Sequence, residues 1–203
     1  EQLFYSQAWR LGYGTRNPPL YTWLVLLSQL PFGPSLVALS LLKATVLWSS
    51  FALILRTGQA IGLDRLHAAL AALSPLAIGT IAWEGTVSLS HSLLVLPLVL
   101  GTWLALIRLD RRGDTGSYLI LGGLVGLGLL AKYNYGVFLV AVLATALTDQ
   151  GLRHRLLDPR ALLIVAVAGL LFGPHALWLI EHRSVLEATV ADHFYDRTTL
   201  GTL

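Results

Sequence analysis

The feature that most constrains this chain is a succession of apolar runs of near membrane-spanning length, separated by short polar turns. The runs are Leu36–Arg56, Leu66–Trp83, His91–Ile107, Tyr118–Leu130, Gly136–Thr148 and Ala161–Ile180. A helix needs roughly 20 apolar residues to cross the hydrocarbon core of a bilayer. Composition agrees: 12% of the 203 residues are charged and 55% are hydrophobic, whereas a soluble domain carries about a quarter of its residues charged. The expected fold is therefore all-α, a polytopic transmembrane helical bundle of about six spans. Pro75 is expected to kink the second of them. Tyr21–Leu30 is apolar but short, bounded by Pro18-Pro19 and by Pro31-Phe32-Gly33-Pro34. It reads as a helix lying in the interface, and Glu1–Gly12 as another short helix. One module results, with a first outer loop at 1–35, spans across 36–180 and a closing loop at 181–203. The chain opens on Glu1-Gln2-Leu3 without methionine, signal peptide or first anchor span. It is expected to be a piece of a longer protein that lacks the first span and the C-terminal part.

Several classes are disfavoured at once. The net charge is only +3 and no basic, aromatic-interleaved patch suggests nucleic acid. There is no cysteine, hence no disulfide and no thiolate metal site.

Orientation follows from the placement of Lys and Arg. Arg56 and Arg65 flank the first turn. Arg108, Arg111 and Arg112 follow the third span, and Arg153, Arg155 and Arg160 the fifth. These turns alternate so as to share one face, expected to be cytoplasmic. The other face then receives Glu1–Pro34, Trp83–Ser90, Ala131–Tyr135 and Glu181–Leu203.

That second face gathers chemistry. Lys132, in Ala131-Lys132-Tyr133-Asn134-Tyr135-Gly136, is a cation at the junction of two apolar runs, where a charge is costly and marks a site by default. The alternative is a lysine snorkelling to lipid headgroups. Arg10, Arg16, Asn17, Tyr21, Glu84, His91, Glu181, His182, Asp192, His193 and Asp196 fall on the same side. Carboxylates suit a general base, and Lys or Arg suits a phosphate. Trp83, Trp178 and the tyrosines equally suit an interfacial aromatic belt. Glu84 and His91 share a helix face if helix runs through them, although Gly85 and the serines argue for a loop. His67 and His175 read as structural or packed polar residues. His182 and His193, with Glu181 or Asp192, are the one set offering a divalent metal a place, but no standard zinc spacing is present. No cofactor is expected with certainty.

The chain resembles the membrane module of the GT-C glycosyltransferases, in the protein mannosyltransferase-like and aminoarabinose transferase-like branch (glycosyltransferase family 39 type). The segments that carry the resemblance are Asn17-Pro18-Pro19-Leu20-Tyr21, similar to the family's Lys-Pro-Pro-Leu-Tyr motif, and Phe32-Gly33-Pro34-Ser35. His91 opening a span, Gly126-Leu127-Gly128-Leu129-Leu130-Ala131-Lys132-Tyr133 and Pro174–His182 add to it. There are two departures. Asn17 stands where the family has lysine, with Arg16 one step earlier, and the family's first-loop acidic motif is absent unless Glu1 is its surviving end.

The resemblance implies transfer of a sugar from a polyprenyl-phosphate donor to a lipid, glycan or protein acceptor, with inversion. Glu1 and Glu84 are the expected catalytic carboxylates. Lys132 and Arg16 are expected to neutralise the leaving phosphate. Asn17, Tyr21, Tyr133, Asn134, Tyr135 and His91 are expected to bind sugar, phosphate or acceptor. The expected location is the bacterial inner membrane, with the active face periplasmic or extracellular. The competing reading is a transporter or flippase of a lipid-linked or anionic substrate. That reading calls for ionisable groups near mid-bilayer or for broken helices, whereas here only Lys43 and His175 fall within spans.

Overall fold

The computed structural model of the chain describes residues 2–13, 17–79, 81, 83, 85 and 91–184. Among them the structure is helical, without strands. Helix α1 is Gln2–Tyr5, α2 Leu20–Phe32, α3 Leu36–Ala60 and α4 Arg65–Leu73. Helix α5 is His91–Arg112, α6 Thr115–Ala131, α7 Asn134–Thr148, α8 Gln150–Leu156 and α9 Leu162–Glu181. Among the described residues, α3, α5 and the stretch Pro159–Glu181 that contains α9 are each long and apolar enough to cross a membrane. A fourth joins them if α7 and α8, bent by 114°, count as one broken span. The chain is thus an integral membrane protein in its physical character.

The expected span Leu66–Trp83 is not one helix. Helix α4 stops at Leu73, and Pro75 sits in a 3-10 turn over Ser74–Ala77. Proline lacks the N–H that an α-helix interior needs and clashes with the preceding turn. The fourth expected span is present as α6, but at 17 residues it is about 26 Å long, short of a bilayer crossing on its own. Among the described residues up to Gly12, the four-residue α1 is the only helix.

The arginine turns meet at one end of the bundle. Arg111 donates to the carbonyl of Ala60, joining the ends of α5 and α3. Arg160 donates to the carbonyl of Gly113 at 2.8 Å, and the Tyr118 hydroxyl to that of Arg155 at 3.1 Å. Helices α3, α5 and α7 therefore run towards this end, and α6 and α9 away from it. Gly113 turns the chain there with φ +58, and the Arg155 guanidinium lies where a Cβ would stand. Asp64, Asp114, Asp149 and Asp158 cap the elements that start at this end by accepting backbone N–H bonds, which places each carboxylate on the positive pole of its helix.

Arg160 donates to Asp158 at 3.0 and 2.9 Å, and that pairing holds the Asp158 carboxyl down at about 2. A carboxyl that titrates lower folded than unfolded, where it sits near 3.9, contributes stability above the unfolded value and loses it as pH falls towards the folded one. Thermal unfolding in detergent from pH 6 to pH 2 is expected to show a steeper acid loss for wild type than for Asp158→Asn, with the curves converging at the acid end.

Two layers of core run through the bundle. Near the arginine end, Ala105, Leu106 and Leu109 pack with Tyr118, Leu121, Val125, Val142 and Ala168. At the far end, Leu20, Tyr21, Val25 and Val46 pack with Leu93, Leu94, Leu98, Leu130, Ala131 and Tyr135. Outward-facing residues of α7 and α9, such as Val140, Val165 and Leu170, are exposed, as expected where the surrounding solvent is lipid. The most extensive pairing is α6 against α9. Gly122 and Gly126 make it close: a Cβ on Gly122 would stand 2.9 Å from the Ile164 carbonyl oxygen, and one on Gly126 would stand 2.9 Å from the Leu171 Cβ. Small residues four apart let helix backbones approach in this way within a membrane.

Candidate functional site

At the far end the four residues after α6 fan out to different partners. Lys132 caps α6 in an extended conformation, its N–H bonded to the Gly128 carbonyl. Its Nζ donates to Ser92 Oγ at 2.6 Å, which ties it to the first turn of α5. Tyr133 turns the other way, and its hydroxyl lies 3.2 Å from His175 Nε2 on α9. Asn134 is exposed. Tyr135 points inward, 1% exposed, with its hydroxyl 2.6 Å from Thr102 Oγ1 on α5. Gly128 leaves the space that the Tyr135 ring fills. Tyr135 therefore takes part in the helix packing. Thr102→Val is expected to lower stability by about 1 kcal/mol, read as a thermal shift in detergent, because it leaves a buried hydroxyl unpaired.

A second group assembles beside Lys132. His91, the residue before Ser92, is buried, and its ring lies 5.2 Å from that of Tyr21. Gln2 roofs the pair: its side-chain amide is 3.4 Å from His91 Nε2, and its carbonyl accepts from the Thr22 hydroxyl at 3.3 Å. Pro18 and Pro19 are buried, with Asn17 half-buried before them. The segment Asn17–Thr22, the start of α5 and the end of α6 thus converge. Among the expected site residues, Tyr21, His91 and Lys132 come together, while Tyr133 and Tyr135 are drawn to other partners. Glu1, Arg16 and Glu84 lie outside the described residues, as do His193, Asp192 and Asp196. Among the described residues no group of three His, Cys, Asp or Glu is placed to hold a metal ion.

The first loop is also anchored on α9. His175 Nδ1 donates to the Leu11 carbonyl at 2.7 Å, and Gly12 lies flat against the Trp178 ring, which occupies the space a Cβ would take. Tyr133, His175, Trp178 and His182 form a run of near-parallel rings. Interplanar angles are 15°, 11° and 16° between successive members. Trp9 stacks on Trp23 at 4.7 Å, and the Trp23 indole donates to the Arg10 carbonyl.

Residues of three segments that carry the resemblance, Tyr21, His91 and the turn at Lys132, lie at this end of the bundle. A family model for dolichyl-phosphate-mannose-protein mannosyltransferase matches residues 16–178. The chain belongs to this family of GT-C glycosyltransferases. Two curated relatives are similar over most of this mannosyltransferase-family chain. Lipopolysaccharide core galacturonosyltransferase RgtB of Rhizobium johnstonii is 38% identical over 90% of the chain. Lipopolysaccharide core galacturonosyltransferase RgtA of the same organism is 32% identical over 88%. The chain spans 37% and 36% of the lengths of these relatives. No solved structure matches it.

Three partners of the expected site residues escape a reading of sequence alone. Gln2 and Ser92 carry no signal in an apolar context. Thr102 reads as a tolerated small residue within a span. His175 does carry one, an ionisable side chain inside an apolar helix, but its two partners are remote in sequence: Leu11 comes with the first loop and Tyr133 with the turn after α6.

Proposed function

We propose that the chain forms the donor-binding end of a glycosyltransferase that moves galacturonic acid from a polyprenyl-phosphate carrier to the core of lipopolysaccharide. The reaction takes place at the periplasmic face of the bacterial inner membrane. The sugar and acceptor are those for which the two similar lipopolysaccharide core galacturonosyltransferases are named. The observation that carries the mechanism is Lys132, held by Ser92 beside buried His91 at the end away from the arginine turns. The positive-inside rule puts that end outside the cytoplasm.

The chemistry needs such a cation. A carboxylate removes the proton of an acceptor hydroxyl as its oxygen attacks the anomeric carbon. The bond from that carbon to the phosphate oxygen breaks on the opposite face, so the configuration inverts. The phosphate leaves as a monoester on its lipid and gains one negative charge. A preorganised ammonium stabilises the charge as it develops, and Lys132 fills that role, with Arg16 as a second cation. Glu1 and Glu84 are the proposed carboxylates. Asn17, Tyr21, His91 and Asn134 line the sugar and acceptor side.

The functional test is genetic and chemical. Deleting the gene for the full-length protein is expected to remove uronic acid from the lipopolysaccharide core, as read by mass spectrometry, and a plasmid copy is expected to restore it. An unchanged core in the deletion strain counts against the proposed acceptor and sugar.

A further inference from the structure

Tyr133 and His175 define a directional pair next to Lys132. The Leu11 carbonyl accepts only, so the 2.7 Å contact from His175 Nδ1 puts the ring proton on that nitrogen. In the neutral tautomer that satisfies this contact, Nε2 is a bare lone pair. The Tyr133 hydroxyl, 3.2 Å away, must then donate to it. His175 is 1% exposed and is locked from both sides, by the first loop and by the turn after α6. Phe172 and Trp178 on its own helix enclose the ring.

The proton of Tyr133 is therefore committed inward, and what the hydroxyl offers outward is an acceptor. Such a group receives a hydrogen bond from an alcohol. It repels a phosphate or a carboxylate, whose oxygens bring only lone pairs. The neighbouring residue has the opposite character: Lys132 donates only, and it suits the anion. Two consecutive residues thus offer opposite hydrogen-bond polarity, Lys132 beside α5 and Tyr133 beside α9.

We propose that Tyr133 is a specificity-determining acceptor for one hydroxyl of the donor sugar, with His175 the positioning residue that fixes its polarity. This rests on the reading of the far end as the site of a lipid-phosphate-linked sugar. One hydrogen bond of this kind is worth about 3- to 10-fold in apparent affinity.

The test uses the full-length protein, a polyprenyl-phosphate galacturonate donor and its 2-, 3- and 4-deoxy analogues. The acceptor is lipopolysaccharide from a strain that lacks the enzyme. Wild type is expected to discriminate against one deoxy analogue by about 3- to 10-fold in KM, with kcat little changed. Tyr133→Phe is expected to use that analogue and the parent donor alike. His175→Asn removes the ε acceptor, which frees the Tyr133 hydroxyl to donate as well as accept, and is expected to weaken the same discrimination without abolishing it. Wild type indifferent to all three analogues, or either variant discriminating as wild type does, overturns the proposal while leaving the enzyme reading intact. Absence of transfer from the parent donor by wild type overturns the functional reading and this inference with it.

Discussion

Lys132→Ala in the full-length protein is expected to lower sugar transfer by at least about 100-fold, the scale set by removing one preorganised group that stabilises developing charge. Thermal stability should barely move, because the side chain is half-exposed and its hydrogen bond to Ser92 Oγ is a polar contact at the periphery of the bundle. The backbone role of the residue, capping α6 through its N–H, survives in alanine. The loss should fall on kcat more than on KM, because the leaving phosphate gains its charge during bond breaking. Lys132→Arg should recover only part of the rate: the charge is retained, but a planar fork replaces a compact ammonium in contact with Ser92. Radiolabelled transfer and a melting curve on the same preparations decide the matter. Wild-type turnover by Lys132→Ala removes the residue from the mechanism.

Gly122→Leu is expected to be the most damaging substitution within the bundle. A Cβ there meets the Ile164 carbonyl oxygen at 2.9 Å and the Ile164 Cα at 3.0 Å. Backbone atoms cannot rotate aside, so α9 must move as a body. Overpacking of this kind costs roughly 1–3 kcal/mol or more. It also acts at a distance from the glycine, because α9 carries His175 and α6 ends at Lys132: separating the two helices pulls Tyr133 from its partner. Gly123→Leu is the matched control, since nothing lies within 4 Å of its Cβ position. In detergent, Gly122→Leu should show a clear loss of Tm and of transfer, and Gly123→Leu should show neither. Equal behaviour of the two variants contradicts the close α6–α9 packing.

Helix type and helix position were legible wherever apolar length alone decided them. The runs at Leu36, His91, Gly136 and Ala161 each became a helix within a few residues of the expected bounds. The gathering of the arginine turns at one end was legible too, because it depends only on counting alternations, and Arg111 and Arg160 then reach across to neighbouring turns. What was not legible depends on contacts between remote segments. Pro75 was visible, but whether it kinks a helix or ends one is settled by packing, and here α4 ends. Tyr135 and Tyr133 look equivalent in the sequence. They part because the extended backbone of Lys132 starts the turn, and the helix that follows points Tyr135 back against Gly128 and Thr102. His175 looked like a packed polar residue. It gains its two partners because Leu11 of the first loop lies across α9 and the turn after α6 brings Tyr133 to it.

The far end of the bundle is proposed to take its sugar from a lipid phosphate. The most direct measurement offers the purified full-length protein two labelled donors, polyprenyl-phosphate galacturonate and a nucleotide-linked galacturonate, with lipopolysaccharide lacking that sugar as acceptor. Label is predicted to reach the core from the lipid-linked donor alone, and to be lost with Lys132→Ala. Label arriving from the nucleotide-linked donor, or from neither, contradicts the account.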